Sequence, residues 1–252
     1  MGGRGGASGF PSNAPVAPQP PVVPAGPTSA AETHDLQELH DYMKTLGMNV
    51  DMSSLAGQTF ENVREAASGI EQVMQEFPQA VGSFRRLRGM TLKKGELANA
   101  SYNGAITLAN YFYSKSTYGL DATYQQTLFN KFHPAGTKKI DIATHESGHI
   151  LETALIHKYL SGSTYADKLA RANAWNNCTM ASKVVHEAVT NLKKTPTGKG
   201  KLTNDFIRDV SKYATKNRSE TLAECVADYS RNGANAKPLS VEVWKILKRE
   251  LG

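Results

Sequence analysis

Two histidines, His145 and His149, stand four residues apart with Glu146 directly after the first. In an α-helix, residues four apart project from the same face, one above the other. Both imidazoles can then converge on one metal ion, and for zinc the Zn–N distances are about 2.0–2.1 Å. Glu146, beside the pair, has the position of a general base that takes a proton from an attacking water and passes it to a leaving amine. HExxH is a short pattern that also arises by chance, so its meaning rests on its surroundings. Ile140, Ala143, Ile150, Leu151, Ala154 and Leu155 fall on the arc opposite the histidines, the pattern of a helix lying between a core and a cleft. Gly148 costs about 1 kcal/mol relative to alanine in a helix interior. Its presence predicts the close approach of another segment or of substrate.

A catalytic zinc takes three protein ligands and keeps one position open. The extended metzincin pattern requires glycine at 152 and histidine at 155, where Glu152 and Leu155 stand, so that class is excluded. His157 lies about 80° around the helix from His149 and two turns on, out of reach. Glu152 is on the histidine face one turn farther along, where a carboxylate can steady a ligand histidine from behind. The third ligand must therefore come from a distant segment. "SETLAECVADYSRNG" offers Glu220, Glu224 and Asp228 at i, i+4 and i+8, flanked by Ala223 and Ala227, with Leu222, Cys225, Val226 and Tyr229 on the apolar side. Asn217 and Glu220 also fit an ordinary capping box, and acidic stripes commonly face solvent. Acids repeated over three turns without a basic partner at i+4 repel one another, however, and a nearby dication would relieve that. Glu220 alone, or Glu224 together with Asp228, can serve.

The elements that must position these residues are mostly helical. The motif helix is expected over about 140–160, entered from "LFNKFHPAGTKK" with Thr137 as its N-cap. Further helical patterns run over 164–174, 177–193, 203–213, 218–231 and 239–250, broken by Gly162, Pro196, Gly233 and Pro238. Upstream, "ETHDLQELHDYMKTLG" and "QTFENVREAASGIEQVMQEFP" each carry one apolar face. Between 84 and 113 the pattern shortens. "GAITLANYFYS" carries β-formers at Ile106, Leu108, Tyr111 and Tyr113, bounded by Asn103-Gly104 and Ser114, which predicts a small sheet. Residues 1–31 are rich in Gly and Pro, with polyproline character in "APVAPQPPVVPAGP". The expected organisation is a tail or linker over 1–31, N-terminal helices over 32–80 and a catalytic domain over 81–252.

The 252 residues are 40% hydrophobic and 21% charged, as in a soluble globular protein. No apolar run approaches the roughly 18 residues of a membrane span. "MGGRGGASGF" has no apolar core and does not read as a secretory signal, and Gly6 does not fit a myristoylation signal. A cytoplasmic or virion-associated location is expected. Cys178 and Cys225 form no disulfide framework and no CxxC pair. A net charge of +6 comes with basic clusters at Arg85–Arg88 with Lys93 and Lys94, and at Lys193–Lys201. No nucleic-acid-binding motif accompanies them.

"HESGHILE" at 145–152 and "KYATKNRSETLAE" at 212–224 resemble the gluzincin class of zinc metallopeptidases. Within that class, the C-terminal part looks like the zincin-type domain of the anthrax lethal factor family and the zincin-like domains of phage minor head proteins. The "HPAG" turn at 133–136 is similar to the latter. The resemblance covers about 130–251. It implies an α+β, mostly helical zincin-like fold with a small twisted sheet before the HExxH helix, and one Zn2+ per chain held by His145, His149 and Glu220. It makes Glu146 the general base, puts Glu224 behind a ligand histidine, and gives Tyr213, seven residues before Glu220, the task of donating to the developing oxyanion. In this class an edge strand before the motif helix pairs with extended substrate, and "AITLANYFY" is expected to be that strand. The implied activity is endopeptidase action on a protein or peptide. The alternative is a phage head-associated structural protein that keeps the fold without essential proteolysis, with the N-terminal tail reaching a phage or host partner.

Overall fold

The structure, a computed structural model, describes residues 26–252. The expected tail lies outside the described residues up to position 25. By Ala30 the chain is already packed: a short 3-10 turn, Ala30–Glu32, buries Ala30 completely, and the Ala30 N–H donates to Glu71 Oε2 at 2.8 Å. The buried Glu71 carboxylate accepts in addition from Tyr42 OH and from Gln75 Nε2.

The fold is α+β and mostly helical. Helices α1 (Leu36–Thr45), α2 (Met52–Leu55) and α3 (Phe60–Glu76) are interleaved with strand β1 (Asn49–Val50). Strands β2 (Arg86–Met90), β3 (Ala98–Ala100) and β4 (Ala105–Ala109) follow, and then α4 (Asn110–Tyr113) and α5 (Thr117–Phe129). The remainder is α6 (Asp141–Tyr159), α7 (Tyr165–Asn176), α8 (Thr179–Lys193), α9 (Thr203–Val210), α10 (Arg218–Asn232) and α11 (Pro238–Leu251). One continuous hydrophobic core runs from Leu39 through Phe77 and Leu108 to Leu251, so α1 and α3 share their core with the motif helix.

The four strands lie in the order β1-β2-β4-β3, with β1, β2 and β4 parallel and β3 antiparallel to β4. This corrects the expected edge strand. "AITLA" is an interior strand with every residue buried, as a mostly apolar strand is when both sheet faces are covered, and its one polar side chain, Thr107, accepts from Arg88 Nε at 3.1 Å. The next residues, Asn110–Tyr113, form a helical turn instead of prolonging it. The sheet edges belong to the two-residue β1 and the short "ANA" of β3. Gly104, which turns β3 into β4, has φ +84°, and a Cβ there would sit 2.1 Å from Ser83 O.

Helix α6 is buried nearly all round, not on one face alone. Two glycines permit this. A Cβ on Gly69 of α3 would lie 2.8 Å from Thr144 Oγ1, and one on Gly148 would lie 2.6 Å from the Ala223 Cα of α10. The close approach expected at Gly148 is thus the crossing of α10. The expected N-cap is not observed. Thr137 Oγ1 donates to Pro134 O and accepts from Tyr124 OH, while α6 begins at Asp141, whose side chain accepts from the Lys138 N–H. The pattern expected over 203–213 ends at Val210 because Ser211 is extended, with φ −165°. A 3-10 turn, Tyr213–Thr215, then leads into α10. Helix α5 escaped the periodicity because only Leu120 and Tyr124 are buried in it. Among the described residues no helix is long and apolar enough to cross a membrane.

Candidate metal centre

The α6–α10 crossing brings two helix faces into register. His145 and His149 come from α6. Glu220 comes from the first turn of α10, where Asn217 caps the helix by accepting from the Glu220 N–H at 2.9 Å. The capping role and the site role of this segment coexist, since the cap uses the backbone of Glu220 and leaves its carboxylate free. Glu220 Oε2 lies 3.1 Å from His145 Nε2 and 3.3 Å from His149 Nε2. One ligand atom from each of the three side chains falls within 4.8 Å of the others.

The other ring nitrogen of each histidine is engaged from behind. His149 Nδ1 lies 2.8 Å from Ser219 Oγ, and the Ser219 hydroxyl donates to Glu152 Oε2 at 2.6 Å. A serine has one proton to give. Its oxygen therefore accepts from His149, which places a hydrogen on Nδ1 and leaves Nε2, beside Glu220, as the ring atom that could donate to a metal. Glu152 is fully buried, and its other oxygen accepts from the Ala181 N–H at 3.1 Å. His145 Nδ1 lies 2.7 Å from Glu224 Oε1. The N–H points off that line, so the two meet as charge partners more than as an aligned hydrogen bond. Glu224 also accepts from His133 Nδ1 at 3.0 Å and from Ser211 Oγ at 2.8 Å. Both of its oxygens are taken, whereas Glu220 Oε2 faces only the two Nε2 atoms. Two imidazole nitrogens and one carboxylate oxygen, each imidazole backed at Nδ1, fit the donor set of a catalytic zinc and its outer partners.

Charge at the site follows from burial and proximity. Burial alone would lower the His145 pKa, but the Glu220 and Glu224 carboxylates against its ring carry it well above its ordinary value. Burial pushes Glu220 up, yet His145 and His149 hold it far below the usual carboxylate range. Glu224, against a similar burial penalty, is drawn down to about 2 by His133 and His145. Glu146 is raised, first by burial and then by Glu220 and Glu96, with the two histidines opposing. It has no hydrogen bond or ion pair among the described residues, and it faces a cleft of about 1210 Å³.

Tyr213 lines the same cleft. Its hydroxyl donates to Glu220 Oε1 at 3.1 Å, and Lys216 Nζ bridges the two, 3.0 Å from Glu220 Oε1 and 3.1 Å from the tyrosine oxygen. Burial and the Glu220 charge push the Tyr213 phenol up to about 12, with Lys216 opposing. Two backbone bonds, Lys212 N–H to Lys131 O and Tyr213 N–H to Phe132 O, clamp this turn to the loop carrying His133.

The structure thus brings together His145, Glu146, His149, Tyr213, Glu220 and Glu224, with Glu152 behind Ser219. It does not bring Asp228. That carboxylate accepts from Asn232 Nδ2 and from the Lys237 N–H and does not line the cleft. Four residues escaped the sequence reading. His133 sits in the "HPAG" turn, a signal noted without a role. Ser219 and Ser211 carry no signal beyond their neighbours. Lys216 partners Glu220 from i−4, so the acidic stripe is not wholly without a basic partner. No protein-family model, curated protein or solved structure matches the chain.

Proposed function

We propose that this protein is a zinc-dependent metallopeptidase of gluzincin type, built on a zincin-like fold. The observation that carries the reading is the convergence of His145 Nε2, His149 Nε2 and Glu220 Oε2 beside a buried carboxylate, Glu146, that has no partner of its own among the described residues. A zinc ion held by the three side chains would supply a Lewis acid for a carbonyl and would acidify a water. Glu146 then accepts the proton of the attacking water and delivers it to the leaving amine. Burial strengthens its hold on that proton, as a general base working near neutral pH requires. Tyr213 donates its hydroxyl hydrogen to the oxyanion, exchanging its bond to Glu220 Oε1 for one to substrate, while Lys216 keeps that carboxylate oxygen occupied. Glu224 and the Glu152–Ser219 pair orient the two imidazoles.

Elemental analysis of protein purified without chelator or added metal tests the reading. The expected result is about one zinc per chain, lost in Glu220→Ala and kept in Glu224→Ala. Glu146→Gln is expected to keep the zinc and to lose cleavage of an unfolded protein substrate such as casein. Protein that neither contains zinc nor takes it up, or cleavage that survives Glu146→Gln, overturns the reading.

A further inference from the structure

The walls of the cleft carry charge that the reaction does not use. On the wall leading into β3, Lys93 and Lys94 are exposed and line the cleft. Lys212, also exposed, lines it beside Tyr213. None of these three lysines has an ion-pair partner among the described residues, in contrast to Lys216, which is bound to Glu220. Most of the acids of the cleft are occupied, the exception being Glu146, whose carboxylate has no partner among the described residues. Glu220 and Glu224 are paired with histidines, and Asp141 is paired with Arg231. Glu96 is the acidic residue on the wall beside the two lysines, and it accepts from Asn99 Nδ2 at 2.9 Å. The cleft lining therefore carries three unpaired lysines, while Glu220, Glu224 and Asp141 are each paired with a histidine or an arginine and only Glu96 and Glu146 have no cationic partner among the described residues.

We infer that the cleft takes acidic peptide segments, with Asp or Glu side chains of the substrate reaching Lys93 and Lys94 before β3 and Lys212 beside Tyr213. This rests on the metallopeptidase reading and names the substrate class of the same site. Unpaired cations lining a low-dielectric cleft concentrate anionic ligands at its mouth. Because the three lysines line the same cleft as Glu146, Glu220 and Tyr213, a peptide whose scissile bond lies at Glu146 has its flanking side chains within the same lining as the lysines. The aromatic lining, Phe132 and Trp175, suits the peptide chain between its charged ends.

Two measurements test the inference. In the first, fluorescein-labelled peptides of equal length, rich in Glu, in Lys or in Gln, are titrated by fluorescence anisotropy into zinc-loaded Glu146→Gln protein. The Glu-rich peptide is expected to bind tightest, and its affinity is expected to fall as salt rises. Lys93→Gln/Lys94→Gln/Lys212→Gln in the same background is expected to weaken it by roughly 3- to 100-fold, the range for three exposed charge contacts, with the Gln-rich peptide unchanged. Equal binding of the three peptides overturns the inference. So does displacement of the Glu-rich peptide by single-stranded DNA at lower concentration, which would assign the cations to nucleic acid. In the second, the active protein digests a mixed peptide pool and the cut sites are sequenced. Enrichment of Asp and Glu on both sides of the cut, lost in the triple variant, supports the inference. Cuts without that enrichment overturn it and leave the peptidase reading intact, whereas a pool left uncut by zinc-loaded protein removes both.

Discussion

Glu152→Gln changes one atom in a fully buried side chain, and the hydrogen-bond chain behind His149 predicts a large effect from it. Glu152 Oε1 accepts from the Ala181 N–H, so an amide at this position must keep its oxygen there and turn its NH2 toward Ser219. Ser219 then accepts from the amide and has its own proton left to give, and the nearest acceptor is His149 Nδ1, 2.8 Å away. The ring is driven to the opposite tautomer, with a hydrogen on Nε2 pointing at Glu220 and no lone pair for a metal. Loss of an outer partner of a ligand histidine costs about 10- to 100-fold in metal affinity, or about 1.4–2.7 kcal/mol. Ser219→Ala should cost less, because it leaves the ring free to choose either tautomer. Metal-free stability should change little in Glu152→Gln, since every buried donor and acceptor keeps a partner. Zinc titration against a competing chelator, with thermal unfolding of the metal-free proteins alongside, reads both quantities. A folded Glu152→Gln protein that binds zinc within about twofold of wild type would refute the tautomer argument on which the prediction stands.

Much of this site was legible because its spacings are helical. HExxH fixes His145, Glu146 and His149 on one helix whatever the fold, and the same logic aligned Glu220 with Glu224 and Glu152 with the histidines. The choice between Glu220 and Glu224 was not legible from that periodicity alone, because both lie on the same face of α10. What separates them is long-range. His133 and Ser211 occupy Glu224 from segments 91 and 13 residues away, and no local pattern encodes that. Ser219 was illegible for a related reason, since a serine in the first turn of a helix ordinarily signals capping. In the fold, helix positions followed from apolar periodicity, and the failures share a cause. The run "AITLA" is compatible with an edge or an interior strand, and only the pairing partners decide it. In α5, with two buried residues, there is almost no periodicity to read.

Three further outcomes follow from the same geometry. Tyr213→Phe in the zinc-loaded protein should lower kcat by about 10²- to 10³-fold, the cost of removing one oxyanion donor, and a peptidase assay showing less than a tenfold loss would dismiss that role. The raised pKa of His145 makes a pH prediction. Its contribution to metal-free stability is fully present below the ordinary histidine value of about 6.5 and is lost as pH rises through the raised folded value, while zinc, which needs the neutral ring, binds more tightly over that same rise. Thermal melts and zinc titrations across this window should therefore move in opposite directions, and a zinc affinity that does not change with pH would contradict the assignment. Gly148→Ala sets two effects against each other. Helix propensity favours alanine by about 1 kcal/mol. The new Cβ, however, meets the Ala223 Cα at 2.6 Å, a backbone atom that cannot rotate aside, and only separation of α6 from α10 relieves the contact. Overpacking of this kind costs about 1–3 kcal/mol, so the variant should be destabilised on balance. Separation also draws His145 and His149 away from Glu220, so zinc affinity should fall together with stability. Gly82→Ala, where an added Cβ meets nothing within 4 Å, should change neither and serves as the control. Gly148→Ala protein as stable as wild type, with unaltered zinc affinity, would mean that this crossing does not set the distance between the ligands.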